Sequence, residues 1–266
     1  MTGAVFPDTC TMTLVGVVHY VAAVAHLLVT VTLWVLRSQF VDHILFEGKL
    51  PLTCTVPSNV TTAESESLRA FSPVELDSPC GVYDLVLACI VLHGLTMGAH
   101  VWYAVKGTSN GWRWVEYFFS APLVFLHTAL TSGTRDVGTL VLIATSSAGV
   151  MPLGHLIEQR TVVPPGVEPS ASQKRTNAQV TSLIVGWVVV VGVQGTILLN
   201  FGRLAGGAPT FVIGIVAAEM VLLPLFGVVA MFHSSVSAST CDVLHTVLSF
   251  SSKIVPTAVF ISSITK

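Results

Sequence analysis

Three ionisable side chains stand where the surrounding sequence is apolar enough to lie in lipid: Glu116, Glu219 and Lys253. Burying such a group in a membrane costs about 2.5–3.5 kcal/mol even on lenient insertion scales, so each calls for a partner or a function. Lys253 lies in Leu248-Ser249-Phe250-Ser251-Ser252-Lys253-Ile254-Val255-Pro256, near the middle of its apolar run. About ten residues at 1.5 Å of rise separate it from either surface, too far for its stem to snorkel to water. Two chemistries suit it: half of an ion pair that locks helices together, or an amine kept in an apolar pocket to form a Schiff base. Glu116 lies in Trp112-Arg113-Trp114-Val115-Glu116-Tyr117. It reads either as the counterion of a cation at Lys253 or as an interfacial carboxylate in an aromatic belt, with Arg113 snorkelling outward so that the helix can extend inward. His19 and His26 are seven residues apart, as are His93 and His100, so each pair lies along one helix face. Such imidazoles can hold protons or water near the carboxylate, or each can simply satisfy a backbone carbonyl. The seven-residue spacing, and the lack of a Glu-x-x-His pair, argue against a metal site.

The elements that carry these residues follow from composition. Of 266 residues, 52% are hydrophobic and 10% charged, against about 25% charged in a typical soluble domain. The mean hydropathy is +0.78. Such a chain cannot coat a water-facing surface, so its solvent is the lipid bilayer. A lipid-crossing helix needs roughly 20 apolar residues; seven stretches qualify, at about 12–36, 81–105, 112–134, 137–157, 179–201, 208–232 and 241–264. No ten-residue alternation of a β-barrel is present, and nothing basic precedes the first span as in a signal peptide. The expected fold is an all-α membrane protein, a single domain over 1–266 with seven transmembrane helices and a long first loop at 38–80.

Seven spans put the termini on opposite faces. Short connections on the N-terminal side carry Lys106, Arg113, Arg160, Lys174 and Arg175, against Arg135, Arg203 and Lys266 on the other. This bias predicts a cytoplasmic N-terminus and an exoplasmic C-terminus. The long loop then faces the exoplasm, where Asn59-Val60-Thr61 is a glycosylation acceptor and Cys54 and Cys80 can pair. Leu50 to Val56 reads as a short strand, and 61–79 as an acidic, serine-rich loop. The formal net charge of −2 leaves no basic stripe for nucleic acid. No nucleophile triad, phosphate loop or metal set supports an enzyme.

With the third- and seventh-helix stretches in view, the chain resembles a heliorhodopsin, a retinal protein of the rhodopsin type with inverted membrane orientation. Trp112 to Tyr117 looks like the family's third-helix signature and Leu248 to Lys253 like its retinal-lysine signature. Ala25-His26-Leu27-Leu28, the segment around His100, and Leu156-Ile157-Glu158 also match. The resemblance implies all-trans retinal held covalently by Lys253 as a protonated Schiff base. Glu116 would be its counterion, with Tyr117, Ser249 and Ser120 nearby and His26 and His100 in a polar cavity on the cytoplasmic side. Val150, Met151, Gln194 and Phe226 would line the chromophore. It also implies a homodimer and an unidentified signalling partner.

Three departures from the family pattern bear on function. Phe118-Phe119-Ser120-Ala121-Pro122 replaces a serine run, Pro224 replaces a small amide, and Glu219 replaces an apolar residue. Glu219 reads as a neutral acid bonded to a fifth-helix partner such as Gln194, or as a proton relay. The expected function is a retinal-binding photoreceptor that signals by conformational change. The alternatives are a light-activated proton path or channel through the bundle, and a chromophore-free seven-helix receptor or transporter.

Overall fold

The computed structural model describes residues 14–39, 49–52, 55–57, 73–75, 81–106, 110–159, 176–204, 208, 210–232 and 236–264. The described residues form seven helices, α1 (Leu14–Gln39), α2 (Leu85–Lys106), α3 (Asn110–Thr131), α4 (Val137–Glu158), α5 (Asn177–Leu204), α6 (Thr210–Phe232) and α7 (Ala238–Ile264). Each packs on its neighbour in sequence, and α7 returns to α1, closing a ring. Six of the seven are long and apolar enough to cross a membrane by length and composition. The seventh is α3, where Arg113 and Glu116 lower the hydropathy. Both are buried inside the ring, so α3 presents its charges inward. Tyr20, Leu28 and Trp34 on α1 and Ile184, Val188 and Leu199 on α5 are exposed instead, as lipid-facing surfaces require. The chain is an integral, multi-pass membrane protein.

Three expected boundaries are corrected. The second helix begins at Leu85, because Gly81–Asp84 is a strand (β4) paired antiparallel with Lys49–Leu52 (β1). Asp84 then caps α2, its Oδ1 accepting from Leu87 N at 2.8 Å, while its Oδ2 ties Arg37 of α1 at 3.0 Å. The expected strand from Leu50 to Val56 is split, its second part being Thr55–Pro57 (β2). This pairs with Pro73–Glu75 (β3), which lies inside the segment expected to be a loop. The third helix stops at Thr131, because Gly133 takes φ 91° and Thr134 N bonds back to Ala129 O at 2.9 Å. This is a left-handed C-terminal cap that glycine makes without strain. Asn59, Cys54 and Cys80 lie outside the described residues.

The bundle is polarised along its length. One apolar cluster joins Leu33, Leu85, Val86, Cys89, Ile90, Ile215 and Phe260, and a second joins Phe125, Ala129, Leu130, Leu140, Ile143, Val193 and Ile197. Both lie towards the end where α1 and α3 finish and α2 and α4 begin. The buried charges Arg113, Glu158 and Asp242 lie at the opposite end.

Gly154 sets the spacing of α3 against α4: a Cβ there would meet the Trp114 ring at 2.1 Å. Gly154→Ala should therefore destabilise the bundle by about 1–3 kcal/mol. Gly149→Ala on the same helix, with nothing within 4 Å, should leave it near the parent. Thermal unfolding in detergent checks the pair, and equal midpoints would refute the packing role.

Candidate functional site

Lys253 and Glu116 meet inside the ring. The Nζ of Lys253 donates to Glu116 Oε1 at 2.8 Å and to Ser249 Oγ at 2.8 Å. The two residues are 4% and 7% exposed, so water cannot substitute for either partner. Glu116 sits only two turns into α3, whereas Lys253 is mid-helix in α7. The gap closes because helical side chains lean towards the N-terminus, and the Lys253 stem runs back a full turn to Ser249. Thr96 of α2 donates to the same Glu116 oxygen at 3.4 Å. The Tyr117 ring lies 5.5 Å from Nζ, within cation–π range. Its hydroxyl donates to the His245 carbonyl at 3.3 Å, which fixes the ring.

From this contact an apolar cavity opens between α3, α4, α5, α6 and α7, walled as sites for apolar organic ligands are. Trp114, Val150, Met151, Trp187 and Phe226 contribute walls. Ser120, Ser249, Ser252 and Lys253 bring polar atoms into the lining. Ser120 Oγ is buried and has no partner.

A second group of charges seals the neighbouring end of the bundle. Arg113 Nη2 donates to Glu158 Oε2 at 2.7 Å and Nη1 to Asp242 Oδ1 at 2.6 Å, pinning α3 to α4 and α7. Trp114 Nε1 donates to the same Glu158 oxygen at 2.8 Å. His245 Nε2 lies 2.9 Å from Glu158 Oε1, near enough for an ion pair but poorly aligned for a hydrogen bond. Arg113 therefore does not snorkel: it is 4% exposed and neutralised within the protein.

The histidines form a separate cluster between α1 and α2. Nδ1 atoms meet at 2.9 Å between His19 and His100 and at 2.7 Å between His26 and His93. The His26 and His100 rings stack at 5.7 Å. None of the four lines the apolar cavity. Each has a side-chain partner, so the simpler reading, one backbone carbonyl per histidine, does not hold for this cluster.

The heliorhodopsin family model matches residues 10–255. The chain belongs to the heliorhodopsin family. Membership makes it a retinal-binding protein of the photoreceptor type. Its fold is similar to that of thermophilic rhodopsin from Rubrobacter xylanophilus, with TM-score 0.65, 12% identity, and 94% of this chain and 96% of that one covered. It is also similar to the light-driven proton pump LR (Mac) from Leptosphaeria maculans, with TM-score 0.65, 11% identity and coverage of 96% and 98%. The light-driven proton pump CsR from Coccomyxa subellipsoidea gives TM-score 0.64, 14% identity and coverage of 95% and 98%. At these identities the likeness shows the shared helical fold alone. No curated protein matches the chain.

Within this heliorhodopsin, Lys253, Glu116, Ser249 and Tyr117 come together, and Ser120, Val150, Met151 and Phe226 line the cavity beside them. Gln194 does not line it: its amide donates to the Glu219 backbone carbonyl at 3.5 Å. That same bond corrects the expected Gln194–carboxyl pairing, and Glu219 Oε2 is buried without a partner. Sequence reading missed Asp242 and His245. The spacing of His245, Ser249 and Lys253, four residues each, would have put all three on one face of α7.

Removing one member of the Arg113 network should be costly, because two buried carboxylates would lose the guanidinium that neutralises them. Arg113→Leu should lose about 3–5 kcal/mol. Arg113→Lys should recover only part, since an ammonium cannot fork to both acids. Unfolding midpoints of the three proteins test this, and a neutral Arg113→Leu would disprove it.

Proposed function

We propose that this heliorhodopsin is a light sensor in which Lys253 Nζ holds all-trans retinal covalently and Glu116 is the counter-charge. The observation that carries the reading is the Lys253–Glu116 contact of 2.8 Å, buried at the wall of an apolar cavity. The residues suit the group. The walls are aromatic and aliphatic, the amine is at one side, and the unpartnered Ser120 oxygen adds polarity where the amine lies. When bound, retinal supplies absorption of visible light and isomerisation of its polyene.

The protein's own residues do the rest. Glu116 stabilises a proton at Nζ in a medium that would otherwise expel it. Ser249 accepts from Nζ and fixes its direction, while Trp114, Met151 and Phe226 exclude water. Any displacement of Nζ from Glu116 leaves a cation and a carboxylate buried without partners, a penalty that favours rearrangement of α3 against α7. Arg113 and Asp242 join the same two helices one level away, so the clamp there is positioned to register the movement.

This reading includes a cytoplasmic N-terminus, supported by the basic residues of the short connections. It also includes a homodimer and a signalling partner, supported by family likeness alone.

Adding all-trans retinal to the apoprotein should give a visible band that Lys253→Ala abolishes. Glu116→Gln should move the band to longer wavelength, because the positive charge is then less localised at Nζ. A band that survives Lys253→Ala, or does not move in Glu116→Gln, would reject the respective role.

A further inference from the structure

The walls of the cavity are chemically unequal. On α3 and α7, Ser120, Ser249, Ser252 and Lys253 bring oxygen and nitrogen into the lining. On α4, α5 and α6 the lining side chains carry neither, with one exception among the described residues, Trp187 of α5. Its Nε1 is buried and has no hydrogen-bond partner. The other two aromatic donors of the lining are engaged. Trp114 Nε1 donates to Glu158 at 2.8 Å and the Tyr117 hydroxyl to the His245 carbonyl at 3.3 Å. Enclosing an N–H without an acceptor costs about as much as a lost hydrogen bond, so such a group calls for an explanation.

Gly227 of α6 fixes where that donor lies. A Cβ on Gly227 would come within 2.8 Å of Trp187 Cζ2, 2.9 Å of Cε2 and 3.3 Å of Nε1. The N–H edge of the indole therefore lies in the seam where α5 meets α6, and both residues line the cavity. A side chain at position 227 would push that edge out of the seam. A wall alone needs only a flat ring, which phenylalanine supplies without a polar atom. The N–H at this wall is thus left for an acceptor that the polypeptide does not provide.

We propose that Trp187 Nε1 donates to an oxygen on the ring end of the chromophore, so that the preferred ligand is a retinal whose ring bears a hydroxyl or keto group. The inference rests on the reading of Lys253 as the retinal-bearing amine. Lys253 stands on α7 and Trp187 on α5, with α6 between them, so the two polar groups belong to different walls of one elongated apolar space. An apolar pocket discriminates weakly between a ligand and its hydroxylated analogue. A pocket with a buried donor discriminates strongly, because the analogue without oxygen leaves that donor unpaired. Trp187 is thus a specificity-determining residue, and Gly227 is the residue that positions it.

Retinols, which cannot condense with an amine, separate recognition of the ring from chemistry at Lys253. Titrated into retinal-free protein and followed by quenching of tryptophan fluorescence, all-trans-3-hydroxyretinol should bind about tenfold more tightly than all-trans-retinol, the equivalent of one hydrogen bond. Trp187→Phe should remove the difference by weakening the hydroxylated ligand alone. In the parent protein, the indole N–H stretch should move to lower frequency with 3-hydroxyretinol and stay in place with retinol. With an equimolar mixture of the two aldehydes, the pigment should hold mostly the hydroxylated one in the parent and equal amounts in Trp187→Phe. Equal affinities of the two retinols for the parent, or a preference that survives Trp187→Phe, overturn the assignment. An N–H stretch that ignores 3-hydroxyretinol does so without need of any variant. A preference among the retinols with no visible band from either aldehyde defeats the covalent reading of Lys253 and leaves the ring subsite standing.

Discussion

A charge in the middle of a bilayer must bring its own solvent, and in this protein the solvent of Lys253 is Glu116. Neither group is stable alone in an interior without water, and the penalty for stranding either exceeds what one packing contact supplies. The pair therefore fixes the rotation of α3 and α7 about their axes and the depth at which they face each other. Ser249 and Tyr117 refine the position of Nζ, but they can do so only because the ion pair has already chosen the helix faces.

Around this contact the bundle separates into compartments of different chemistry. Towards the ends of α1 and α3 it is apolar, with Leu33, Ile215 and Phe260 in one cluster and Phe125, Ile143 and Ile197 in another. Towards the starts of α3 and α7 it is ionic. Between lies the cavity, whose width depends on two glycines. Gly154 admits the Trp114 ring, and Gly227 admits Trp187, which a Cβ would meet at 2.8 Å. Large indoles can stand as walls because the facing helix has no side chain there. Association in lipid has no hydrophobic drive between helices, so close approach at small residues and buried polar bonds carry the energy.

The fold class was legible because hydropathy over 20 residues is a strong signal and lipid permits few structures. Lys253 and Glu116 were legible for the same reason: a charge in an apolar run is conspicuous. Arg113 was equally visible, but its depth was misread, since the residues that neutralise it, Glu158 and Asp242, lie 45 and 129 positions away. Asp242 and His245 stand near the start of their helix, where polar residues are ordinary, so nothing local marked them. Cys89 and His127 were invisible as a pair, being unremarkable singly and joined only by the packing of α2 on α3. The start of α2 at Leu85 depends on the pairing of β4 with β1, a non-local contact that hydropathy cannot register. Gln194 failed as a chromophore contact because one position on a helix changes the direction of a side chain by 100°.

The two polar systems flanking Lys253 differ in what they can do. The Arg113 group is made of charges that are strongly paired: a guanidinium forked between two acids, with an indole N–H on one of them. Such an array resists small displacement and yields all at once, which suits a mechanical clamp. The histidine system contains no permanently charged member. Its members are imidazoles and threonine hydroxyls, each able to donate or accept, so its hydrogen bonds can reorder without moving a helix. Lys253 and Glu116 lie between the two. A displacement of Nζ would therefore meet rigid ion pairs on one side and reorderable hydrogen bonds on the other.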